Sequence, residues 1–189
     1  MTGTSCVGSL PGFVLPRCFA FVVGCLFLIQ SVAPQPKLDQ LLVHGDGFVF
    51  SVKEPVGWNG DTTNAEKFNA NVVLHEAGMP ENSYTGLIRV LLSEKTDENI
   101  AEDIAADTRQ YRERYPKMQF KDFAINHPGY KSLAKVFYES GKFYEYVAYV
   151  NPGPKSKFLF SVSMNTGKTE AGEKELVAFR FTLRSLTLF

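Results

Sequence analysis

Alternating apolar and polar positions mark the first strand that the sequence predicts. In Phe48–Lys53 one side of an extended chain would be wholly apolar, because successive strand residues point to opposite faces. Pro55 and Gly57 end this stretch, since proline lacks the N–H that a strand ladder needs and glycine permits a tight turn. The pattern predicts a strand followed by a turn, with the only tryptophan, Trp58, packed in the core.

Six further stretches have the length and the β-branched and aromatic composition of strands. Glycine, proline and asparagine clusters separate them, as expected of turns and loops. The run in 86–92 is almost continuously apolar, which is typical of a strand covered on both faces. The six predicted strands are 72–76, 86–92, 118–125, 131–139, 142–150 and 158–164.

Two of these strands are separated by Ser140 and Gly141, which predict a two-residue hairpin loop. Such a loop sets Lys135 opposite Tyr146 and leaves Glu145 among apolar neighbours. Neither face of this hairpin is polar, whereas a sheet wetted on one side alternates cleanly. The hairpin is therefore predicted to be covered on both faces.

Two stretches have the spacing of helices. In 97–115 apolar residues recur every three or four positions, with acidic residues at the start and arginines at the end. We interpret these charges as a solvated helix face. A second helix is predicted from Glu170 onward, although Phe179, Phe181 and Leu183 would also suit a strand. The elements together predict an α+β fold, a three-layer α/β/α sandwich with a mainly antiparallel sheet of about five to seven strands and a helix layer on each face.

The length of 189 residues suits one domain with a real core. We expect a single globular domain at 46–189, preceded by a lead-in segment at 34–45. Lys and Arg number 20, as do Asp and Glu, so no basic excess exists to neutralise phosphates. This balance excludes nucleic acid as an expected partner.

Residues 1–33 have the composition of a secretory signal peptide. They contain a single charge, Arg17, before an apolar run, and they end in the small-x-small sequence of 31–33. The run is shorter than a membrane span of about 20 residues, so an uncleaved anchor is the second choice. Cys25 lies in the middle of the run, which disfavours a lipid anchor there. We expect a cleaved leader and a periplasmic or extracellular protein with no membrane attachment.

All three cysteines, Cys6, Cys18 and Cys25, lie in this predicted leader. The mature chain would therefore have no thiol, which excludes disulfides, thiol catalysis and cysteine metal sites. The hydrophobic core alone would stabilise the exported domain.

Two segments resemble a known family. Gly-Phe-Val-Phe-Ser-Val-Lys-Glu-Pro-Val-Gly-Trp at 47–58 is similar to the strand and turn that begin PsbP-like domains, and 175–186 is similar to their final helix. The resemblance covers 46–189 and implies an antiparallel sheet between helices. It is shared with the extrinsic subunit of photosystem II, a Ran-binding nuclear transport factor and exported bacterial proteins, which mostly bind proteins. No residue set diagnostic of the photosynthetic or Ran-binding branch is matched, so no partner carries over.

Motifs for chemistry are incomplete in this sequence. Residues 165–169 are placed like a phosphate-binding loop, but Val162 stands where that loop needs its first glycine. His44, His75 and His127 have no second histidine at metal-ligand spacing, so a metal site would have to be assembled from distant residues. No hydrolase, zinc-protease or dinucleotide motif is present. The sequence therefore predicts no catalytic residue, no cofactor and no metal ligand.

One candidate surface interrupts the otherwise apolar hairpin. Lys135, Tyr144, Glu145 and Tyr146 would bound a groove for a partner or a ligand, or Lys135 would simply extend its ammonium group to the sheet margin. The leading hypothesis is a non-enzymatic binding or accessory protein that contacts another envelope or extracellular protein. The alternative is a small-ligand-binding or enzymatic domain with a composite pocket.

Overall fold

The computed structural model describes residues 40–80, 85–96 and 99–189. The predicted leader with its three cysteines, the first half of the lead-in (34–39) and the first two residues of the predicted helix at 97–115 lie outside the described residues. Ten strands and two α-helices are present in the described part. They are β1 (Gln40–Gly45), β2 (Phe48–Lys53), β3 (Trp58–Asp61), β4 (Val72–Glu76), β5 (Leu87–Glu94), α1 (Ile100–Arg114), β6 (Gln119–Asp122), β7 (Lys131–Glu139), β8 (Phe143–Asn151), β9 (Phe158–Gly167), α2 (Glu173–Ser185) and β10 (Thr187–Leu188), with a short 3-10 helix at Ala65–Phe68.

The strands form two antiparallel sheets. The larger has seven strands in the order β3-β4-β5-β9-β8-β7-β6, and the smaller has three in the order β1-β2-β10. The prediction of an α+β fold with a mainly antiparallel sheet is confirmed. The prediction of a single sheet is wrong, because β2 lies in the smaller one.

The smaller sheet arises from a hairpin that the sequence analysis placed partly in the lead-in. Strand β1 pairs with β2 so that Val43 faces Phe50 across the ladder, and both side chains are buried. Gly47 has a φ of 73° in the connecting turn, a conformation that glycine adopts without steric cost. Strand β10 then completes the sheet by pairing Leu188 with Phe50.

Strand β8 contributes side chains to two separate cores. Its even-numbered residues pack with α2 and β2, and its odd-numbered residues pack with α1, as alternation along a strand requires. Buried side chains therefore lie on both faces of β8. The first core includes Tyr146, Ala148, Val150 and Phe179, and the second includes Phe143, Val147, Tyr149 and Ile100, with Tyr111 and Tyr115 packed against it.

The β7–β8 loop is one residue longer than predicted. Glu139 pairs with Phe143, and Lys142 N–H donates to the carbonyl oxygen of Glu139 at 2.9 Å. Gly141 has a φ of 76°, as expected in a three-residue hairpin loop with a left-handed residue. A shift of one residue reverses the faces of one strand relative to the other. The predicted pairing of Lys135 with Tyr146 is therefore wrong, and Lys135 pairs with Val147.

The segment after Glu170 is helical where its sequence also suited a strand. Gly172 N–H donates to the side chain of Glu175 at 2.7 Å and caps the start of α2. Phe179 and Leu183 are fully buried on its inner side, since they lie four residues apart on one helix face. The helix ends at Ser185, and β10 follows after one residue. In the residues that the structure describes, no helix has the length and apolar character to span a membrane.

His127 fastens the loop before β7 to the end of α2. Its Nδ1 accepts hydrogen bonds from the N–H groups of Gly129 and Tyr130 at 3.1 and 2.9 Å. Nε2 lies 3.1 Å from the carbonyl oxygen of Leu186. Two donors at Nδ1 leave the proton on Nε2, so the buried ring is neutral. Burial lowers the pKa of His127, although its hydrogen bond to Leu186 opposes this shift.

This environment predicts a loss of stability in mild acid. A histidine whose pKa is lower when folded contributes stability above its unfolded pKa of about 6.5, and this contribution is lost as pH falls below that value. We expect the urea midpoint of the protein to fall between pH 7.5 and pH 5.5. His127→Gln should start lower at pH 7.5 and show a smaller fall. An equal fall in His44→Gln and His127→Gln variants would contradict this assignment.

Candidate functional site

The structure separates the four residues that the sequence placed on one candidate surface. Tyr144 and Tyr146 lie on the α2 side of β8, whereas Lys135 and Glu145 lie on the α1 side. Tyr146 is almost fully buried, and its hydroxyl accepts a hydrogen bond from Ala171 N–H at 3.2 Å. These residues do not form one groove. A role for each of them in binding stays a prediction.

Lys135 lies at the sheet margin. Its ammonium group forms an ion pair with Asp122 and lies 5.3 Å from the centre of the Phe120 ring. Only about a fifth of its side chain is exposed (21%), so the aliphatic part is covered while the charge stays at the edge. This is the arrangement that the sequence analysis weighed against a ligand role.

Glu145 is buried and forms an ion pair with Arg89 of β5. The pairing of β8 with β9 shifts between Tyr144 and Glu145, and such a bulge changes the direction of nearby side chains. Arg89 is not among the residues that the sequence predicted for a functional site. The available signal was that Arg89 is the only charge within the apolar run at 86–92, where an ion needs a partner.

A polar pocket opens above this ion pair, between α1 and the seven-stranded sheet. Its volume is about 290 Å³, and α1 contributes four of its side chains at positions i, i+3, i+4 and i+7, which share one helix face. The sequence predicted a solvated face for the charges of this helix, because its acidic start and its arginine-rich end complement the helix dipole. The pocket is lined by Asn69, Arg89, Asp107, Gln110, Tyr111, Arg114 and Glu145.

The inner wall of this pocket holds its acidic groups in a desolvated setting. Burial raises the pKa of Asp107, while the hydroxyl of Tyr149, which donates to its Oδ2 at 2.5 Å, lowers it. Burial also raises the pKa values of Tyr111 and Tyr149, and the neighbouring carboxylates Glu145 and Asp107 add to these shifts. Both phenols are therefore hydrogen-bond donors at neutral pH, and neither supplies a phenolate base.

A second candidate lies on the outer face of α2. Val177 and Phe181 are 55% and 43% exposed, and Val56 in the turn after β2 is 99% exposed. Two hollows of about 630 and 280 Å³ share Val177 and Phe181 as a common wall. We call this surface the α2 face and define it by Val56, Val177 and Phe181 with the neighbouring cations Lys53, Arg180 and Arg184.

The cations of the α2 face form no ion pair with the carboxylates that the structure describes. Across residues 40–80, 85–96 and 99–189, no carboxylate lies within ion-pair distance of Lys53, Arg180 or Arg184. The guanidinium group of Arg180 lies 5.2 Å from the centre of the Phe123 ring instead. The α2 face therefore combines exposed apolar side chains with three cations that no described carboxylate pairs, while Glu173 and Lys174 line its smaller hollow.

The remaining sequence candidates do not converge on a site. In the described ranges, no group of three His, Cys, Asp or Glu side chains could hold a metal ion. At the end of β9, the side chain of Asn165 accepts from Gly167 N–H at 2.8 Å, and the Thr166 hydroxyl donates to the carbonyl oxygen of Thr169 at 2.6 Å. These bonds form a tight turn from the residues that the sequence likened to a phosphate-binding loop.

Comparison with known proteins gives a likeness in structure only. No family model matches the chain, and no curated protein matches it in sequence. The structure is similar to the solution structure of cyanobacterial PsbP from Synechocystis sp. PCC 6803, with a TM-score of 0.49 and 12% sequence identity. The match covers 85% of this chain and 99% of that chain. The likeness is one of fold, and no residue role or partner in this chain is inferred from it.

Proposed function

We propose that this chain is an exported, non-enzymatic protein that binds a partner protein through the α2 face. The observation that carries the proposal is the cluster of exposed Val56, Val177 and Phe181 beside cations that pair with no carboxylate of the described residues. A contiguous apolar patch with a polar rim on a protein surface is typical of a docking site. A partner that covers the side chains of Val56 and Phe181 would remove apolar surface from water, which stabilises the complex.

The charges define the chemistry of the partner. An apolar side chain of the partner would lie against Val177 and Phe181, with Asp or Glu residues close to Lys53, Arg180 and Arg184. Opposite charges around an interface favour encounter and orientation more than they add affinity. The partner is therefore a protein segment in which acidic residues flank an apolar one, and its association should weaken as salt concentration rises.

Export is the second part of the proposal and has a separate basis. It rests on the composition of residues 1–33, with one charge before an apolar run and small residues at 31 and 33. The partner would accordingly be a periplasmic or extracellular protein. Recovery of the protein from the cell exterior or periplasm without residues 1–33 is the expected result by mass spectrometry.

We also propose that the seven-stranded sheet is the middle layer of an α/β/α arrangement. Tyr111 of α1 stacks on Phe137 with ring centres 4.5 Å apart, and Phe179 of α2 lies 6.3 Å from Tyr146. Phe137 is the neighbour of Val136, which pairs with Tyr146 across the ladder, so the two aromatic contacts fall on opposite sides. An experimental structure with both helices on one face would contradict this arrangement.

Photocrosslinking in the native host tests the docking proposal. A benzophenone side chain at position 181 of the full chain is expected to crosslink one protein, and the crosslinked peptide should contain Asp or Glu beside an apolar residue. Phe120 provides a matched control, because it is also 43% exposed but lies on β6. The same probe at position 120 should not capture that protein.

Binding measurements with the captured protein complete the test. Phe181→Ser is expected to weaken binding by about 2 kcal/mol, roughly thirtyfold in Kd, as for an apolar residue central to an interface. Arg184→Gln should weaken binding mainly at low salt. Equal crosslinking at positions 120 and 181, or a crosslinked peptide without acidic residues, would overturn the proposal.

A further inference from the structure

We propose that the pocket between α1 and the seven-stranded sheet binds a short ω-amino acid, with its ammonium group at Asp107 and its carboxylate at Arg114. The site is independent of the α2 face, which lies on other residues. We call it the α1 pocket and define it by the seven lining residues named above.

The floor of the α1 pocket is already neutral. Arg89 and Glu145 form an ion pair across β5 and β8, so each satisfies the charge of the other. Tyr111 lies beside this pair. Burial raises the pKa of Tyr111, and the negative charge of Glu145 raises it further. The floor therefore needs no additional ion from a ligand. The remaining groups of the pocket, Asp107 and Arg114 among them, determine which ligand binds.

Asp107 provides the acceptor for a cation. In the part of the chain that the structure describes, the Tyr149 hydroxyl is the one side chain that donates to it, at Oδ2. A carboxylate accepts several hydrogen bonds through its two oxygens, so Asp107 retains acceptor capacity. Asp107 is also partly buried, and a carboxylate in that setting gains more from a nearby ammonium group than one in water does.

Arg114 provides the donor for an anion. It lies seven residues after Asp107 on the same face of α1, and helical side chains extend toward the N-terminus. Arg114 lines the same pocket as Gln110 and Asp107. No carboxylate of the described residues forms an ion pair with Arg114, and a guanidinium group binds carboxylates with two parallel hydrogen bonds.

The size and net charge of the α1 pocket restrict the ligand further. Its volume is about 290 Å³, close to the lower end of the range of about 300–1,000 Å³ for small-molecule sites, which favours a small ligand. The pocket has two arginines and two carboxylates, so a ligand without net charge preserves neutrality. A flexible chain with opposite charges at its ends matches Asp107 and Arg114 better than either charge alone.

Titration of the full-length protein followed by amide NMR tests this inference. The probes are β-alanine, 4-aminobutyrate and 6-aminohexanoate, with butyrate and butylamine as single-charge controls. We expect saturable shifts of α1 amides around 107–114 with at least one of the three zwitterions, and at least tenfold weaker binding of both controls. Absence of saturable binding for all three zwitterions would overturn the proposal, as would butyrate binding as tightly as 4-aminobutyrate.

Substitutions locate the two ends of the ligand. Asp107→Asn keeps an acceptor for Tyr149 while removing the negative charge, so the fold should be preserved. Asp107→Asn and Arg114→Gln are each expected to weaken the best zwitterion at least tenfold. Arg109→Gln is the matched control, because Arg109 is an exposed arginine of α1 outside the pocket lining. If Arg109→Gln weakened binding as much as Arg114→Gln, the effect would be one of general charge and the proposed site would be wrong.

Discussion

Phe179→Ala is expected to lower the unfolding free energy by about 3–5 kcal/mol, which is typical of removing a fully buried phenylalanine. The ring has no exposed surface and lies 6.3 Å from the rings of both Phe123 and Tyr146. Its removal would leave a cavity where α2 contacts the core between the two sheets. Urea unfolding followed by circular dichroism measures the loss.

Phe181→Ala is the control for this prediction. The residue is also a phenylalanine of α2, two positions away, but it lies on the outer face and is 43% exposed. We expect less than about 1 kcal/mol of destabilisation, as for surface substitutions away from special features. Equal losses for Phe179→Ala and Phe181→Ala would mean that α2 does not pack through the face described above.

Arg89→Met is expected to destabilise the protein by about 2–3 kcal/mol, because it leaves Glu145 buried without its cation. The usual cost of breaking a buried ion pair is larger, but the side chain of Arg89 is 33% exposed and water would partly solvate the site after the substitution. A second substitution, Glu145→Leu, removes the carboxylate that Arg89→Met leaves unpaired. The double variant should therefore be more stable than Arg89→Met alone.

A double-mutant cycle in urea distinguishes this coupling from a loss of packing. Lys157→Met is the surface control, because the side chains of Lys157 and its partner Glu94 are both about two-thirds exposed (66% and 67%). The control should leave the urea midpoint unchanged. Additive effects of Arg89→Met and Glu145→Leu would show that the two side chains do not depend on each other in the folded state.

Two features of the strand pairing could not be predicted from neighbouring residues: the β7–β8 register and the sheet to which β2 belongs. A glycine at position 141 is compatible with loops of two or three residues, and the two loops place opposite side-chain sets on each face. The hydrogen bond from Lys142 N–H to the carbonyl oxygen of Glu139 is part of the longer loop, and packing on the two faces of the hairpin selects its register. In the same way, β2 has the alternation of any strand, and its position in the smaller sheet depends on β10, which lies near the other end of the chain.

The candidate sites show the same division. The exposure of Phe181 and the burial of Phe179 follow from helical spacing once α2 is known to be a helix, but the sequence suited a strand equally well. The α1 pocket was even harder to predict from the sequence. Arg89 and Glu145 are 56 positions apart, and Tyr149 meets Asp107 across a helix and a strand, so no local motif links these residues.

The sequence by itself determined the α+β class, most of the strands, the first helix and the burial of Trp58. These features follow from periodicity, turn residues and apolar content, which act over a few neighbouring positions. Only the tertiary structure decided the β7–β8 register, the separate three-stranded sheet and the composition of the α1 pocket and the α2 face. Those features depend on contacts between distant segments, where many pairings satisfy the same local pattern and only the packed core selects one of them.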